Sequence, residues 1–429
     1  MIAMLTGAAR GPQAADGSRS RVREAVAVLP LVLLYFAICV IADPGPHPVR
    51  DEPALLAAGE RLLDGQLVPS GRVLDPRAYL WHGPGLVVLL APLVALELPL
   101  AVIRLIEPLL LGAAVLLFHR LLRERLAPRP ALAWTYALGL YVPFFAVLPE
   151  IHKEPIAVLL VVAGMLALTR GLATGRRMPF VLGGLALGGL AMVRFEYGWV
   201  AFALLAVAVG AWVRRRRSAS ARRLVLAAAV AVAACLPWLA YTYHLTGRPM
   251  YWGSSSGLSL FWMSPTVPGE TGTWQEPAAV EHDPALAPLR PFFRHVATLH
   301  PVASDDALRE RALDNIRARP LLYVRNIIAN VGRLFFAWPM RPQLSARRVA
   351  ANVIFNGLLL GVVAWAAVAA WRRRLSLPPQ TVPIVLFTVL GIAIHLPVSA
   401  SPRMLLPLVP ALVWFAAQVL SRPAGARGA

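Results

Sequence analysis

The sequence predicts an all-α polytopic membrane protein with about ten transmembrane helices and two segments outside the bilayer, 43–99 and 244–350. Three observations predict it. The chain of 429 residues is 58% hydrophobic and 15% charged, against roughly 45–50% and about 25% in an average soluble chain. Ten apolar runs are long enough to be spans. The basic residues are distributed unevenly between the loops that join those runs.

A helix needs ~20 apolar residues, and at least ~17, to cross a hydrocarbon layer ~30 Å thick. Residues 25–42, 100–118, 131–148, 155–171, 179–193, 197–213, 224–243, 351–371, 380–398 and 403–420 are the candidates. The first reads as a span and not as a cleaved signal peptide, because its apolar stretch is full length and lacks a small-x-small cleavage site. Segment 85–98 is apolar but short, carries Pro92 and ends at Glu97 and Pro99.

Charge decides that segment. Short cytoplasmic loops collect Arg and Lys. If 85–98 does not cross, regions 1–24, 119–130, 170–178, 214–223, 372–379 and 421–429 share one side and hold 22 arginines. The opposite short loops then hold Lys153, Arg194 and Arg403. If it does cross, the arginine clusters alternate between the two sides. The expected organisation is therefore a cytoplasmic tail 1–24, a seven-span core 25–243 with 85–98 re-entrant or interfacial, an extracytoplasmic loop domain 244–350, three spans in 351–420 and a cytoplasmic tail 421–429. Both ends face the cytoplasm.

The formal charge of +20 then reads as an orientation signal and not as a nucleic-acid footprint. Cys39 and Cys235 both lie in apolar runs, which excludes a CxxC or Cys/His metal site. No GxGxxG, P-loop or HExxH pattern occurs.

Chemistry concentrates on the outer side. Asp51 and Glu52 open a short amphipathic stretch, 53–64, that Gly65 can end. Asp51 serves either as an ordinary helix cap or as a carboxylate held at the boundary as a general base. Glu150, His152, Lys153 and Glu154 crowd the next outer turn, with Pro155 suited to a helix's first position. Lys153 is the only lysine beside 41 arginines, which points to a use for a compact ammonium. Arg194 and Glu196 flank Phe195 between spans five and six, in reach of a local ion pair. Arg403 near His395 is either a snorkelling anchor or a site cation. His82, before Gly83-Pro84-Gly85, reads as structural. No His and carboxylate set has metal-ligand spacing.

In the large outer segment, 304–319 predicts a helix capped by Ser304, with Asp305 and Asp306 in its first turn and basic residues at its end before Pro320. Residues 321–338 predict a helix lying at the membrane surface, with polar positions at Arg325, Asn326, Asn330 and Arg333.

This layout resembles the GT-C superfamily of polyprenyl-phosphate-sugar-dependent glycosyltransferases, in its protein O-mannosyltransferase and aminoarabinose-transferase-like branch. The likeness rests on Asp51-Glu52 followed by ALLAAGERLLDG to Gly65, on HGPGLVVLLAPLVAL, and on Glu154-Pro155. It also rests on Arg194 with Glu196, on Tyr251-Trp252-Gly253, on ALRERALDNIRARP, and on Arg403 leading into LLPLVP. Two positions depart: Pro53-Ala54-Leu55 stands where a Tyr is usual, and Phe195 where a Pro is common.

The resemblance implies an inverting transfer of a hexosyl or pentosyl group from a polyprenyl-phosphate sugar to a hydroxyl acceptor at the extracytoplasmic face. Asp51 and Glu52 would be catalytic. Lys153, Arg194 and Arg403 would hold the donor phosphate, and His82, His152, Glu154, Glu196, Tyr251 and Trp252 would position substrate. Membrane lipid, the lipid-linked donor and a glycan, lipid or protein acceptor would be the partners; no metal ligands are assigned, and a divalent cation stays open. Two other classes remain open at this point: a transporter or flippase of a lipid-linked or anionic solute, and a non-catalytic envelope-assembly protein.

Overall fold

The computed structural model describes residues 12–42, 45, 51–69, 78–214, 218–267, 269–340 and 346–421. Those residues form helices and turns, with no strand among them. The chain is a multi-pass membrane protein. Its first half contains α1 (Pro12–Ile41), α2 (Asp51–Leu63), α3 (Pro84–Ala95), α4 (Leu100–Arg104), α5 (Ile106–Arg123), α6 (Pro128–Gly139), α7 (Glu154–Thr174), α8 (Arg177–Val193), α9 (Glu196–Arg214) and α10 (Ala219–Thr246). Segment 244–350 supplies α11 (Ser256–Met263), α12 (Pro277–His282), α13 (Arg290–Val296), α14 (Pro301–Ala318) and α15 (Pro320–Phe336). The chain closes with α16 (Ala346–Arg372), α17 (Thr381–Ala393) and α18 (Val409–Leu420).

Seven helical stretches are long and apolar enough to cross a membrane: Val22–Ile41, Leu100–Arg123, Glu154–Thr174, Glu196–Arg214, Ala219–Thr246, Ala346–Arg372 and Pro402–Leu420. Helices α8 and α17 are apolar but shorter. Large apolar side chains such as Leu358, Trp365 and Val385 point outward, as they must where the surrounding solvent is hydrocarbon.

The predicted span 131–148 differs from the structure. Its α-helix ends at Gly139, and a 3₁₀ turn, Val142–Val147, follows. Pro143 has no N–H to continue the ladder, and a Cβ on Gly139 would meet Leu31 at 2.6 Å and the Tyr35 hydroxyl at 3.0 Å. The Tyr35 hydroxyl donates to the Gly139 carbonyl at 2.8 Å, so α1 takes up a backbone acceptor left over at that helix end.

Helix α3 has twelve residues, about 18 Å at 1.5 Å per residue, which cannot cross the layer. It packs against α2 through Leu55, Ala58, Leu86, Val87 and Leu90, with Gly59 allowing the two backbones to approach at Ala91. Gly65, at φ +73, turns the chain out of α2, its N–H bonding to the Leu62 carbonyl.

Segment 244–350 has its own apolar cluster of Leu258, Phe261, Trp262, Val280, Leu286, Phe293, Val296, Leu308 and Ala312. The predicted helix there starts earlier than expected. His300 caps it, its Nδ1 accepting from the Val302 N–H at 3.4 Å, because Pro301 sets the first turn. Ser304 therefore lies inside the helix. Asp305 faces inward, accepting from the Gly257 N–H and from Arg309 at 2.6 Å.

Helix α15 has the predicted mixture of residues in an inverted arrangement. Its apolar Leu321, Val324 and Ile328 are exposed, while Asn326, Asn330 and Arg333 are buried. The Asn330 amide donates to the carbonyls of His395, Leu396 and Val398, and its oxygen accepts from the Ala400 N–H at 3.0 Å. Those residues follow α17, where the backbone leaves the helix and its polar groups need partners. Helix α15 is thereby tied to the strip of chain that leads into Arg403.

Candidate active site

The site is built where four chain turns meet: the start of α2, the 150–154 turn, the 194–196 turn and residues 402–403. Glycines make the meeting possible. A Cβ on Gly83 would stand 1.9 Å from the Met192 carbonyl oxygen, and one on Gly85 would stand 2.7 Å from the Val193 side chain. The His82-Gly83-Pro84-Gly85 run therefore lies directly on the end of α8, beside Arg194. Gly253 similarly allows Leu80 and Phe195 to approach, and the Ser254 N–H bonds to the Leu80 carbonyl at 3.1 Å.

Asp51 is the first residue of α2, and its carboxylate accepts from Arg403 Nη1 at 3.1 Å. Burial acts to raise the Asp51 carboxyl, but the charges of Arg403, Lys153, His82 and His152 outweigh it and hold the group below the usual carboxylate range. Lys153 Nζ lies 3.3 Å from His82 Nδ1. Burial lowers the Lys153 ammonium, opposed by Asp51 and assisted by Arg194 and Arg403. Burial also lowers His152, so that imidazole favours its neutral form.

Arg403 also reaches Glu154 at 3.9 Å, and Glu154 accepts from Arg194 Nη1 at 2.8 Å. Arg194 completes the series on Glu196, with Nε and Nη2 each 2.7 Å from the same oxygen. The groups thus alternate in sign as Asp51, Arg403, Glu154, Arg194 and Glu196. The two arginines differ in exposure: the Arg403 side chain is 42% accessible, and that of Arg194 is 5%. Arg194, expected as a phosphate ligand, has all three guanidinium nitrogens facing carboxylates. Arg403 and Lys153 are the cations of the set whose charge is directed towards Asp51.

Glu52 is placed differently from its neighbour. It forms a two-point ion pair with Arg104, at 2.9 Å to Nε and 2.6 Å to Nη2, with both side chains almost wholly buried. It also accepts from the Ile151 N–H at 2.9 Å. Glu52 therefore locks the start of α2 to α4 and to the 150–154 turn. Arg104 and its neighbour Glu107, which is buried and accepts from the His152 N–H at 3.2 Å, were not singled out in the sequence. The signal was available: both are ionisable residues within an apolar run, where such groups are costly and usually paired.

Tyr251 and Trp252 are buried. Trp252 lies on Gly198, where a Cβ would come within 2.2 Å of the indole, and its carbonyl accepts from Trp238 Nε1 at 3.0 Å. Phe195 stacks on Trp238 at 5.3 Å, so the aromatic ring at this position fills the gap between α9 and α10. His395 packs edge-on to Tyr197. Among the described residues no group of three or more His, Cys, Asp or Glu is arranged to hold a metal ion.

No protein-family model matches the chain, and no curated protein matches it. Among solved structures it is similar to the archaeal oligosaccharyltransferase AglB from Archaeoglobus fulgidus, in complex with an inhibitory peptide and a dolichol-phosphate. The TM-score is 0.46 and the identity 13%, over 92% of this chain and 50% of that one. The chain thus spans about half the length of that structure. In both halves of the chain the residues that meet at Asp51 come from helix ends and turns, where a side chain can reach water from a lipid-embedded scaffold.

Proposed function

We propose that this chain is an integral membrane glycosyltransferase of the GT-C type. In this reading it moves a hexosyl or pentosyl group, with inversion, from a polyprenyl-phosphate sugar to a hydroxyl acceptor at the extracytoplasmic face. The observation that carries the reading is the placement of Arg403 on Asp51 beside Lys153: a half-buried carboxylate base and cations suited to a phosphate share one edge of the scaffold, with Arg403 as its exposed member.

The chemistry follows from that placement. Asp51 takes the proton of the acceptor hydroxyl as its oxygen attacks the anomeric carbon. The bond from that carbon to the phosphate oxygen breaks, and the lipid phosphate leaves with the electron pair. Lys153 and Arg403 stabilise the charge that develops on it. Arg403 has two roles in sequence. Without donor it rests on Asp51. A donor phosphate competes for the same guanidinium, and drawing Arg403 away raises the Asp51 carboxyl and makes it a stronger base.

Arg194 acts through Glu154 in this scheme, holding the carboxylate against which Arg403 turns. His82 orients Lys153, and Glu52 fixes the helix that presents Asp51. Helix α15 and the outer segment govern the approach of the acceptor, since Asn330 holds the residues that precede Arg403.

The test is transfer by the purified full chain in nanodiscs, with a panel of labelled polyprenyl-phosphate sugars and with envelope glycans from a deletion strain as a guide to the acceptor. The reading expects one donor to be consumed, polyprenyl phosphate to be released, and both to stop in Asp51→Asn. Release of the sugar at the wild-type rate by Asp51→Asn would remove the base from the mechanism. Movement of intact donor between leaflets without bond cleavage would replace the enzyme with a flippase.

A further inference from the structure

Helix α15 presents an apolar face that the site does not use. Leu321, Val324, Ile328 and Val331 recur at intervals of three and four, which places them along one side of the helix. All four are exposed, Leu321 at 82% and Ile328 at 69%. The helix cannot roll to hide them, because hydrogen bonds hold its other face. Asn326 donates to the Met263 carbonyl at 3.0 Å and Arg333 to the Thr271 carbonyl at 2.7 Å, while Asn330 holds residues 395–400. A row of large aliphatic side chains fixed outward marks a surface that something apolar covers.

The depth at which α15 ends says what covers it. Leu334 and Phe335, in its last turn, belong to the same core as Leu406, Val409 and Trp414 of the last span. The Asn356 side-chain amide donates to the Phe335 carbonyl, so α15 ends level with that point of α16. The part of α16 from Val353 to Trp371 carries no charge and measures about 27 Å at 1.5 Å per residue. That is close to the whole ~30 Å of a hydrocarbon layer. Asn356 therefore lies within the layer and not above it, and Val353, Ile354 and Leu358 beside it are exposed. One turn before Phe335, the outward Val331 stands at a depth where the solvent is acyl chain.

The opposite end of α15 is basic. Arg317 and Arg319 are exposed there, Arg317 sharing a surface pair with Asp314. Such side chains reach headgroup phosphates while their stems stay with lipid. Basic residues first and apolar residues after them give the order met on entering a leaflet from water.

We infer that α15 is immersed in the leaflet on the side of Arg403, with Leu321, Val324, Ile328 and Val331 among the acyl chains and Arg317 and Arg319 at the headgroups. The sequence expects a helix at the membrane surface; packing sets which face meets lipid and how deep it goes. The consequence reaches the site. Asn330 ties α15 to the strip that leads into Arg403, so the leaflet that seats α15 also steadies that strip. The inference does not depend on the glycosyltransferase reading, since it rests on packing and depth.

A nitroxide on Ile328→Cys of the full chain in lipid nanodiscs tests the seat, the native Cys39 and Cys235 being buried. Collision with oxygen, which concentrates in lipid, is compared with collision with a water-soluble nickel chelate. The oxygen-to-nickel ratio should approach that of a label at Leu358→Cys on α16 and exceed that at Glu310→Cys on α14 several-fold. A ratio equal to that at Glu310→Cys would place the face in water and overturn the inference. Shielding from both reagents would show protein as the occupant, a second copy if single-copy discs relieve it, and would equally overturn it.

Amide hydrogen exchange tests the link to the site without requiring activity. Ile328→Glu should speed exchange at residues 395–400 several-fold and leave α5 and α7 unchanged, while Ile328→Leu should match the wild type. Unaltered exchange at 395–400 in Ile328→Glu would overturn the link.

Discussion

Arg403 donates to Asp51 at 3.1 Å across 352 positions of sequence, and the same guanidinium stands 3.9 Å from Glu154. One exposed arginine thus joins the start of the second helix to the last span and to the 150–154 turn. Under the proposed function this is the contact that a donor phosphate must displace.

Asp51→Asn keeps the shape and the hydrogen-bonding capacity of the side chain and removes its basicity. Transfer should fall about 10²–10⁴-fold, the usual contribution of a general base, with thermal unfolding in detergent little changed. A variant with full transfer activity would show that another group takes the proton.

The acid limb of activity should report the Asp51–Arg403 contact. The folded Asp51 carboxyl is depressed below its unfolded value, near 3.9, so its contribution to stability is present above that value and is lost as pH falls through the lower, folded one. Activity that depends on ionised Asp51 should accordingly survive mild acid. Arg403→Gln removes the largest lowering charge, and the acid limb should move up by about one pH unit or more. A limb that stays in place in Arg403→Gln would mean that Asp51 is not the titrating group.

The Glu52–Arg104 pair should be a matter of stability. Removing one partner leaves the other charge buried without compensation, at a cost of about 3–5 kcal/mol. Arg104→Met should therefore lower the unfolding temperature sharply. The double variant Glu52→Gln with Arg104→Met should recover much of the loss, since two neutral groups need no counter-charge. Urea or thermal unfolding of the four proteins of that cycle gives the coupling, and equal loss in single and double variants would refute it.

Gly83→Ala should fail by sterics. Its new Cβ would meet the Met192 carbonyl at 1.9 Å, and relief requires the 82–85 run to move away from α8. Overpacking of this kind costs about 1–3 kcal/mol. The expected result is a lower unfolding temperature together with weaker transfer, since His82 and Lys153 shift with the run. Gly210→Ala, where a Cβ meets nothing within 4 Å, is the matched control and should behave as wild type.

Much of this was readable along the chain. Runs of apolar residues marked the spans because a bilayer filters for length and hydropathy, both local properties. Asp51, Lys153, Glu154, Arg194 and Arg403 stood out because charge at such a boundary is expensive. Other features depended on distant partners. Ser304 is a reasonable cap by type, but Pro301 and His300 captured the helix start. Residues 131–148 are apolar enough for one helix, yet Pro143 and the contact of Tyr35 with Gly139 end it early. Arg104 lies within an apolar run and becomes intelligible only with Glu52 beside it.

Hydropathy and the placement of Arg therefore suffice for the all-α membrane class and the set of boundary charges, since each depends on a residue and its near neighbours. Which charge meets which was decided in three dimensions. Adjacent carboxylates Asp51 and Glu52 have opposite fates because the helix turns them by about 100° towards different partners. One meets an exposed Arg403, and the other a buried Arg104. Periodicity places both on the first turn of α2, but only the packing of α4 and the last span determines which remains open to a substrate.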